Sequence, residues 1–95
     1  MDNINYCLLL LKDLFKIEAT SEDVGYESIV LECEELDTNL LPKNFVENLI
    51  ENEILLHSYA IEEYVVFIIT SMKENDWKLV GILKENELMY SHIPD

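Results

Sequence analysis

The chain of 95 residues contains no arginine and only six lysines, against twenty acidic residues, so its formal net charge is −14 at pH 7. Contacts from basic side chains to phosphate dominate the affinity of proteins for nucleic acids. Anionic membrane surfaces attract basic segments in the same way. The composition therefore argues against direct binding of nucleic acid and against binding to an anionic membrane.

Glycine, proline and cysteine are also scarce, with two residues of each. Because this leaves little room for flexible linkers, we expect one domain over residues 1–95. Cys7 and Cys33 follow no metal or disulfide pattern and fit small buried side chains in a reducing compartment, so we expect a cytoplasmic protein. The apolar run from Tyr6 to Leu11 is far shorter than the roughly 20 residues that a transmembrane helix needs.

Sequence motifs of catalysis are missing as well. The chain has no Gly-x-Ser-x-Gly, no His-Glu-x-x-His and no glycine-rich phosphate loop. Of its two histidines, His57 and His92, the first precedes Ser58, but neighbours on a strand point to opposite faces. The adjacent carboxylates Glu62 and Glu63 are typical of an exposed turn. We therefore expect a protein that is not an enzyme and that has no cofactor.

The charge that is present is distributed unevenly. Residues 17–72 hold thirteen acids and one base, Lys43, whereas residues 1–16 sum to zero and residues 73–95 to −2. The chain is nevertheless 49% hydrophobic, and its acids alternate with apolar residues, which is typical of a folded domain with an acidic surface. A field of one sign attracts a basic partner.

Two segments have the periodicity of amphipathic helices. The first covers residues 3–16, and its apolar face consists of Ile4, Cys7, Leu8, Leu11, Leu14 and Phe15. The second covers about 42–53 and starts at Pro42, which suits the first turn of a helix. Its apolar stripe consists of Phe45, Val46, Leu49 and Ile50.

Five segments have strand patterns. Residues 27–35 alternate, with Ile29, Leu31 and Cys33 predicted to face the core and Ser28, Val30, Glu32 and Glu34 to face solvent. Tyr64 to Thr70 is apolar on both faces, so we expect it at the centre of the sheet. The other predicted strands are 55–61, Trp77 to Leu83 and Leu88 to His92, with turns at Glu62-Glu63 and at Glu85 to Glu87. The order α-β-α-β-β-β-β predicts an α+β fold, with two helices on one face of a four- or five-stranded, mainly antiparallel sheet.

The densest acidic cluster consists of Glu32, Glu34, Glu35 and Asp37. Neighbours on one strand face are about 6.8 Å apart, which suits a row of charges better than the converging oxygens of a cation site, so we expect no bound metal. Such a row can imitate a phosphate backbone and attract a basic groove. The predicted partner-binding residues are Glu22, Asp23, Tyr26, Glu32, Glu34, Glu35, Asp37, Glu47 and Glu51.

These patterns favour an acidic inhibitor that binds and neutralises a basic enzyme, foremost an immunity protein against a nuclease toxin. One alternative is a phage-type nucleic-acid mimic that inhibits a CRISPR or restriction nuclease. Another is a non-inhibitory interaction module or subunit of a larger assembly, which predicts an exposed apolar patch as its contact surface. An enzyme would instead require a concave pocket with a titratable group.

Overall fold

The computed structural model describes residues 3–36, 41, 45, 52–73 and 76–94. Its helix α1 covers Asn3–Phe15, and its strands are β1 (Gly25–Glu32), β2 (Glu53–Ile61), β3 (Tyr64–Thr70), β4 (Trp77–Lys84) and β5 (Glu87–His92). Two short 3-10 helices, Ser21–Asp23 and Cys33–Glu35, lie on either side of β1. The α+β class is confirmed. Among the described residues, no helix is long and apolar enough to cross a membrane.

The five strands form one antiparallel sheet in the order β1-β2-β3-β4-β5. β3 lies in the middle, as its apolar pattern predicted, because a central strand is the one covered on both faces. The predicted turn at Glu62 and Glu63 joins β2 to β3. Glu85 and Asn86 join β4 to β5 and have φ angles of 52° and 66°, the left-handed conformation that a type I′ hairpin requires at both positions.

Each face of the sheet has its own hydrophobic cluster. On one face, α1 packs Cys7 and Leu11 against side chains of β2, β3 and β4. On the other face, Phe45 packs with Phe67 and with neighbours from β2, β3 and β4. Alternation along β3 explains the division, because successive side chains of a strand point to opposite faces. The sheet is therefore the middle layer of the core.

The predicted placement of two helices on one face is wrong. The predicted second helix, about 42–53, lies outside the described residues except for Phe45, Asn52 and Glu53. Glu53 is the first residue of β2, and Phe45 packs on the face opposite α1. The physical reason lies in β3, whose apolar side chains on both faces require cover from both sides.

The first strand also differs from its prediction. β1 ends at Glu32, and residues 33–35 form a 3-10 helix in place of the predicted end of the strand. The predicted burial of one face is right for Leu31 and Cys33, which are half-buried against the core, and wrong for Ile29, which is 42% exposed. Among the described strands, β1 pairs only with β2. In α1, Cys7 and Leu11 are buried as predicted, whereas Leu14 is exposed.

Candidate functional site

The described members of the predicted partner-binding set lie along β1 and its two 3-10 helices, which we call the β1 edge (residues 21–35). Glu22 and Asp23 precede the strand, and Tyr26 lies near its start. Glu32 ends the strand, and Glu34 and Glu35 follow it; all six side chains are exposed. The rise along a strand puts Tyr26 and Glu32 about 20 Å apart, so the acids form two groups, not one cluster. Asp37, Glu47 and Glu51 lie outside the described residues.

The group at the end of β1 includes an acid that the sequence did not single out. Glu53 of β2 is the direct cross-strand partner of Glu32, and like charges in this position repel. The pKa of Glu32 is raised above its usual value of 4.5, first by a hydrogen bond with Glu34 and then by the charge of Glu35, with a smaller contribution from Glu53. No periodicity signals this pairing, because it depends on the register of β1 against β2.

Hydrogen bonds to the carboxylates of Asp23 and Glu35 hold one acid of each group in place. The Glu32 N–H donates to Oε1 of Glu35 at 3.1 Å. The Thr20 N–H and the Thr20 hydroxyl both donate to Oδ2 of Asp23, at 3.0 and 3.2 Å. These bonds satisfy free donors at the starts of the two 3-10 helices. Glu35 and Asp23 therefore keep their charges at fixed positions beside the strand.

Tyr26 is held by a hydrogen-bonded chain that runs into the core. Its hydroxyl lies 3.0 Å from Nδ1 of His57, and Nε2 of His57 lies 3.2 Å from Oγ1 of Thr70. The Thr70 hydroxyl donates to the Ser71 carbonyl at 2.9 Å, so it accepts the His57 Nε2–H. In the neutral imidazole, Nδ1 then carries no proton and accepts from the Tyr26 hydroxyl. The ring of Tyr26 also packs on that of Tyr59, with centroids 4.9 Å apart.

Ion pairs of the described residues form away from the β1 edge. Lys78 pairs with Asp76 at 3.0 Å, and Lys84 lies 3.9 Å from Glu63. In the described part of the chain, none of the salt bridges includes an acid of the β1 edge. No three His, Cys, Asp or Glu side chains of these described residues are grouped as metal ligands. Within the part of the chain that is described, the acids of the β1 edge thus form a field of one sign.

An apolar pocket of about 170 Å³ lies beside β1 on the face opposite α1. Its wall is mainly leucine, valine and phenylalanine, with Glu35 and Ser58 as the polar members. Leu31 of β1 lines it as well, so the pocket borders the β1 edge. The sequence did not predict it, because its walls come from four strands and from residues 35, 36 and 41.

Comparison with protein-family models, with curated proteins and with solved structures gave no significant match for this chain. Function is therefore inferred from the charge and geometry of the β1 edge.

Proposed function

We propose that this protein is an acidic inhibitor that binds and neutralises a basic partner enzyme, foremost as an immunity protein against a nuclease toxin. The observation that carries the proposal is the concentration of exposed acids along the β1 edge, in a chain of net charge −14. Nuclease active sites bind phosphate with basic side chains. An acidic surface complementary to such a site is drawn to it over long range.

The proposed binding process has two stages. Charge complementarity speeds the first encounter and makes the association rate depend on salt. Tyr26 then supplies a rigid aromatic anchor, since its hydroxyl is bonded to His57 and its ring packs on Tyr59. Tyrosines that are already ordered lose little conformational freedom on binding and are frequent hot spots of interfaces.

The non-inhibitory interaction module is a second candidate, because a specific observation favours it. Tyr26 and Val30 are exposed on one face of β1 and Ile29 on the other, and exposed apolar side chains grouped along one strand are typical of a contact surface. The two candidates differ in salt dependence, since contact through apolar residues is little weakened by salt. An inhibitor of a CRISPR or restriction nuclease would use the same acidic surface, so it differs from an immunity protein only in the target.

The test measures binding and inhibition together. The purified chain is titrated against basic nuclease domains, including one encoded beside its own gene, at low and high salt. We expect association with a nuclease, loss of its activity on DNA or RNA, and an association rate that falls as salt rises. Binding only to neutral or acidic proteins, or binding to a nuclease without inhibition, would contradict the proposal.

A matched pair of variants locates the surface. E32K/E34K and E85K/E87K change the net charge equally, and all four side chains are exposed. Glu35 is left intact because its carboxylate bonds the Glu32 N–H. We expect the first variant to slow association with the nuclease much more than the second, whose changes lie at the β4–β5 hairpin. Equal effects would indicate that only net charge matters and that the β1 edge is not the contact surface.

A further inference from the structure

β1 is an edge strand of the described sheet, and its pairing is regular. It pairs with β2 over all eight of its residues without a register shift. At the opposite edge of the sheet, the pairing of β5 is irregular, with a shift between Ile82 and Leu83 of β4. Proteins usually protect an edge strand with charged side chains, with proline, with a bulge, or with a helix or loop that covers it. β1 has no lysine, proline or bulge, its charged residues are the acids Glu27 and Glu32, and no other described strand pairs with its outer side. A further strand of opposite charge can therefore pair there.

The hydrogen-bond pattern shows which backbone groups point outwards. The Cys33 N–H donates to the Asn52 carbonyl at 2.8 Å, which extends the β1–β2 register by one hydrogen-bonded pair. In an antiparallel ladder such pairs alternate with pairs whose backbone groups point away. The N–H and C=O groups of Tyr26, Ser28, Val30 and Glu32 therefore face the free edge. The bond from the Glu32 N–H to Glu35 agrees with this orientation.

The side chains beside this edge provide apolar contacts on both faces of the sheet. Tyr26 and Val30 share one face, and their side chains are 51% and 50% exposed. Ile29 lies on the other face and is 42% exposed. A strand added next to β1 would cover these residues while it bonds to the outward backbone groups of Tyr26, Ser28 and Val30. This combination is typical of recognition by strand addition.

Charge decides which strand fits. The β1 edge carries six acids and no base: Glu22, Asp23, Glu27, Glu32, Glu34 and Glu35. A second copy of the chain would bring the same acids against these, with a net charge of −14 on each molecule. A segment in which Lys or Arg alternates with β-branched residues would instead pair with the acids and cover the apolar side chains.

We infer that the β1 edge binds an extended basic segment of the partner protein as an additional strand of the sheet. The inference rests on the proposed function for the basic character of the partner. It adds that backbone pairing with Tyr26, Ser28 and Val30, and not charge alone, fixes the position of the partner.

The test uses a synthetic peptide of alternating Lys and Val with blocked ends. A control peptide has the same sequence but is N-methylated at every second residue, so it keeps its charge and loses its pairing groups. Titration of the ¹⁵N-labelled protein at low salt should show binding of the first peptide about tenfold tighter than the second, a ratio expected for loss of backbone hydrogen bonds. Amide exchange should slow at Tyr26, Ser28 and Val30.

The matched variants are S28P and S28A. Proline removes an outward N–H and keeps the bonds from β1 to β2, so the fold should be retained, as circular dichroism can check. S28P should weaken peptide binding about tenfold, and S28A should leave it unchanged. The peptide comparison uses the natural chain, so it decides the matter even where S28P does not fold.

Three results would overturn the inference. Equal binding of both peptides would show attraction by charge alone, which leaves the proposed inhibitor function standing. Binding of neither peptide would show that the edge takes no basic strand, and the nuclease titration would then judge the proposed function separately. Self-association in sedimentation experiments that S28P abolishes would identify a second copy as the occupant.

Discussion

The ring of Phe67 in β3 lies directly over Gly81 of β4, its cross-strand partner. A Cβ atom at position 81 would collide with the ring. Gly81 therefore provides the space that the tip of the Phe67 ring occupies against the next strand. Phe67 belongs to the cluster on the face opposite α1, so this pair fixes the packing of that side of the core.

Replacing Gly81 with alanine should destabilise the protein by about 1–3 kcal/mol, the usual cost of forcing an extra group into a packed core. The free energy of unfolding measured in urea tests this. The matched control is G25A, because a Cβ there would lie 3.9 Å from the Ala60 Cβ, an ordinary contact. The double variant F67L/G81A should recover part of the loss. A G81A variant as stable as the natural chain would contradict the packing described.

The series of hydrogen bonds that joins Tyr26, His57 and Thr70 gives a second prediction. Y26F removes the donor to Nδ1 of His57, a side chain that is only 3% exposed, and should cost about 1 kcal/mol. T70V removes the acceptor of the Nε2–H, which leaves a buried donor unpaired, and should cost about 1–3 kcal/mol. Urea unfolding measures the stability of both single variants and of the double variant. The free energy of unfolding lost in the double variant should differ from the sum of the two single losses, because both substitutions act on one imidazole.

The tautomer of His57 offers an independent check of the same series of hydrogen bonds. In the neutral form of the imidazole, ¹⁵N chemical shifts should report a proton on Nε2 and none on Nδ1. In Y26F the tautomer is no longer fixed from the Nδ1 side, so a mixture is expected. A proton on Nδ1 in the natural chain, together with a Y26F variant that is as stable as the natural chain, would contradict the directions assigned to these hydrogen bonds.

The third prediction concerns pH. The folded-state pKa of Glu32 is raised above 4.5, chiefly by the hydrogen bond with Glu34, so the folded protein favours the protonated carboxyl. The contribution of Glu32 to stability is therefore fully present below its usual pKa and is lost as pH rises through the raised value. E32Q stays neutral throughout, so it should be more stable than the natural chain at pH 7.

The stability advantage of E32Q should shrink as the pH is lowered towards about 3, where ordinary carboxyls are protonated. Unfolding in urea at several pH values measures this, and high salt should reduce the difference at pH 7 because it screens exposed charges. E18Q is the control for loss of one negative charge elsewhere, on an exposed residue of the loop after α1. An advantage of E32Q that grows on acidification would mean that the pKa shift has the opposite sign.

Several elements were predictable because their signals are local. The helix at residues 3–16 and the strand at Tyr64 to Thr70 were found within a residue or so, since one has a clear helical period and the other is a β-branched apolar run. The turn at Glu62 and Glu63 followed from two polar residues between strands. The exposure of Ile29 was not predictable, because alternation alone does not reveal whether anything covers a strand.

The candidate site shows the same division. The acids around Tyr26 and Glu32 were identified from composition, and all of those that the structure describes are exposed. Glu53, His57 and the outward backbone groups of β1 were not identified. Their roles depend on which residue lies opposite which across the sheet, and that register is a long-range property.

By itself the sequence determined the acidic character of the chain, its α+β class and the central position of β3, because charge counts and apolar periods act through near neighbours. Only the tertiary structure decided that the acids divide between the two ends of one strand, that the core lies on both faces of the sheet, and that β1 is an edge strand of the described sheet. These features arise when segments distant in sequence pair and bury their apolar faces, and no local pattern records which partner each segment finds.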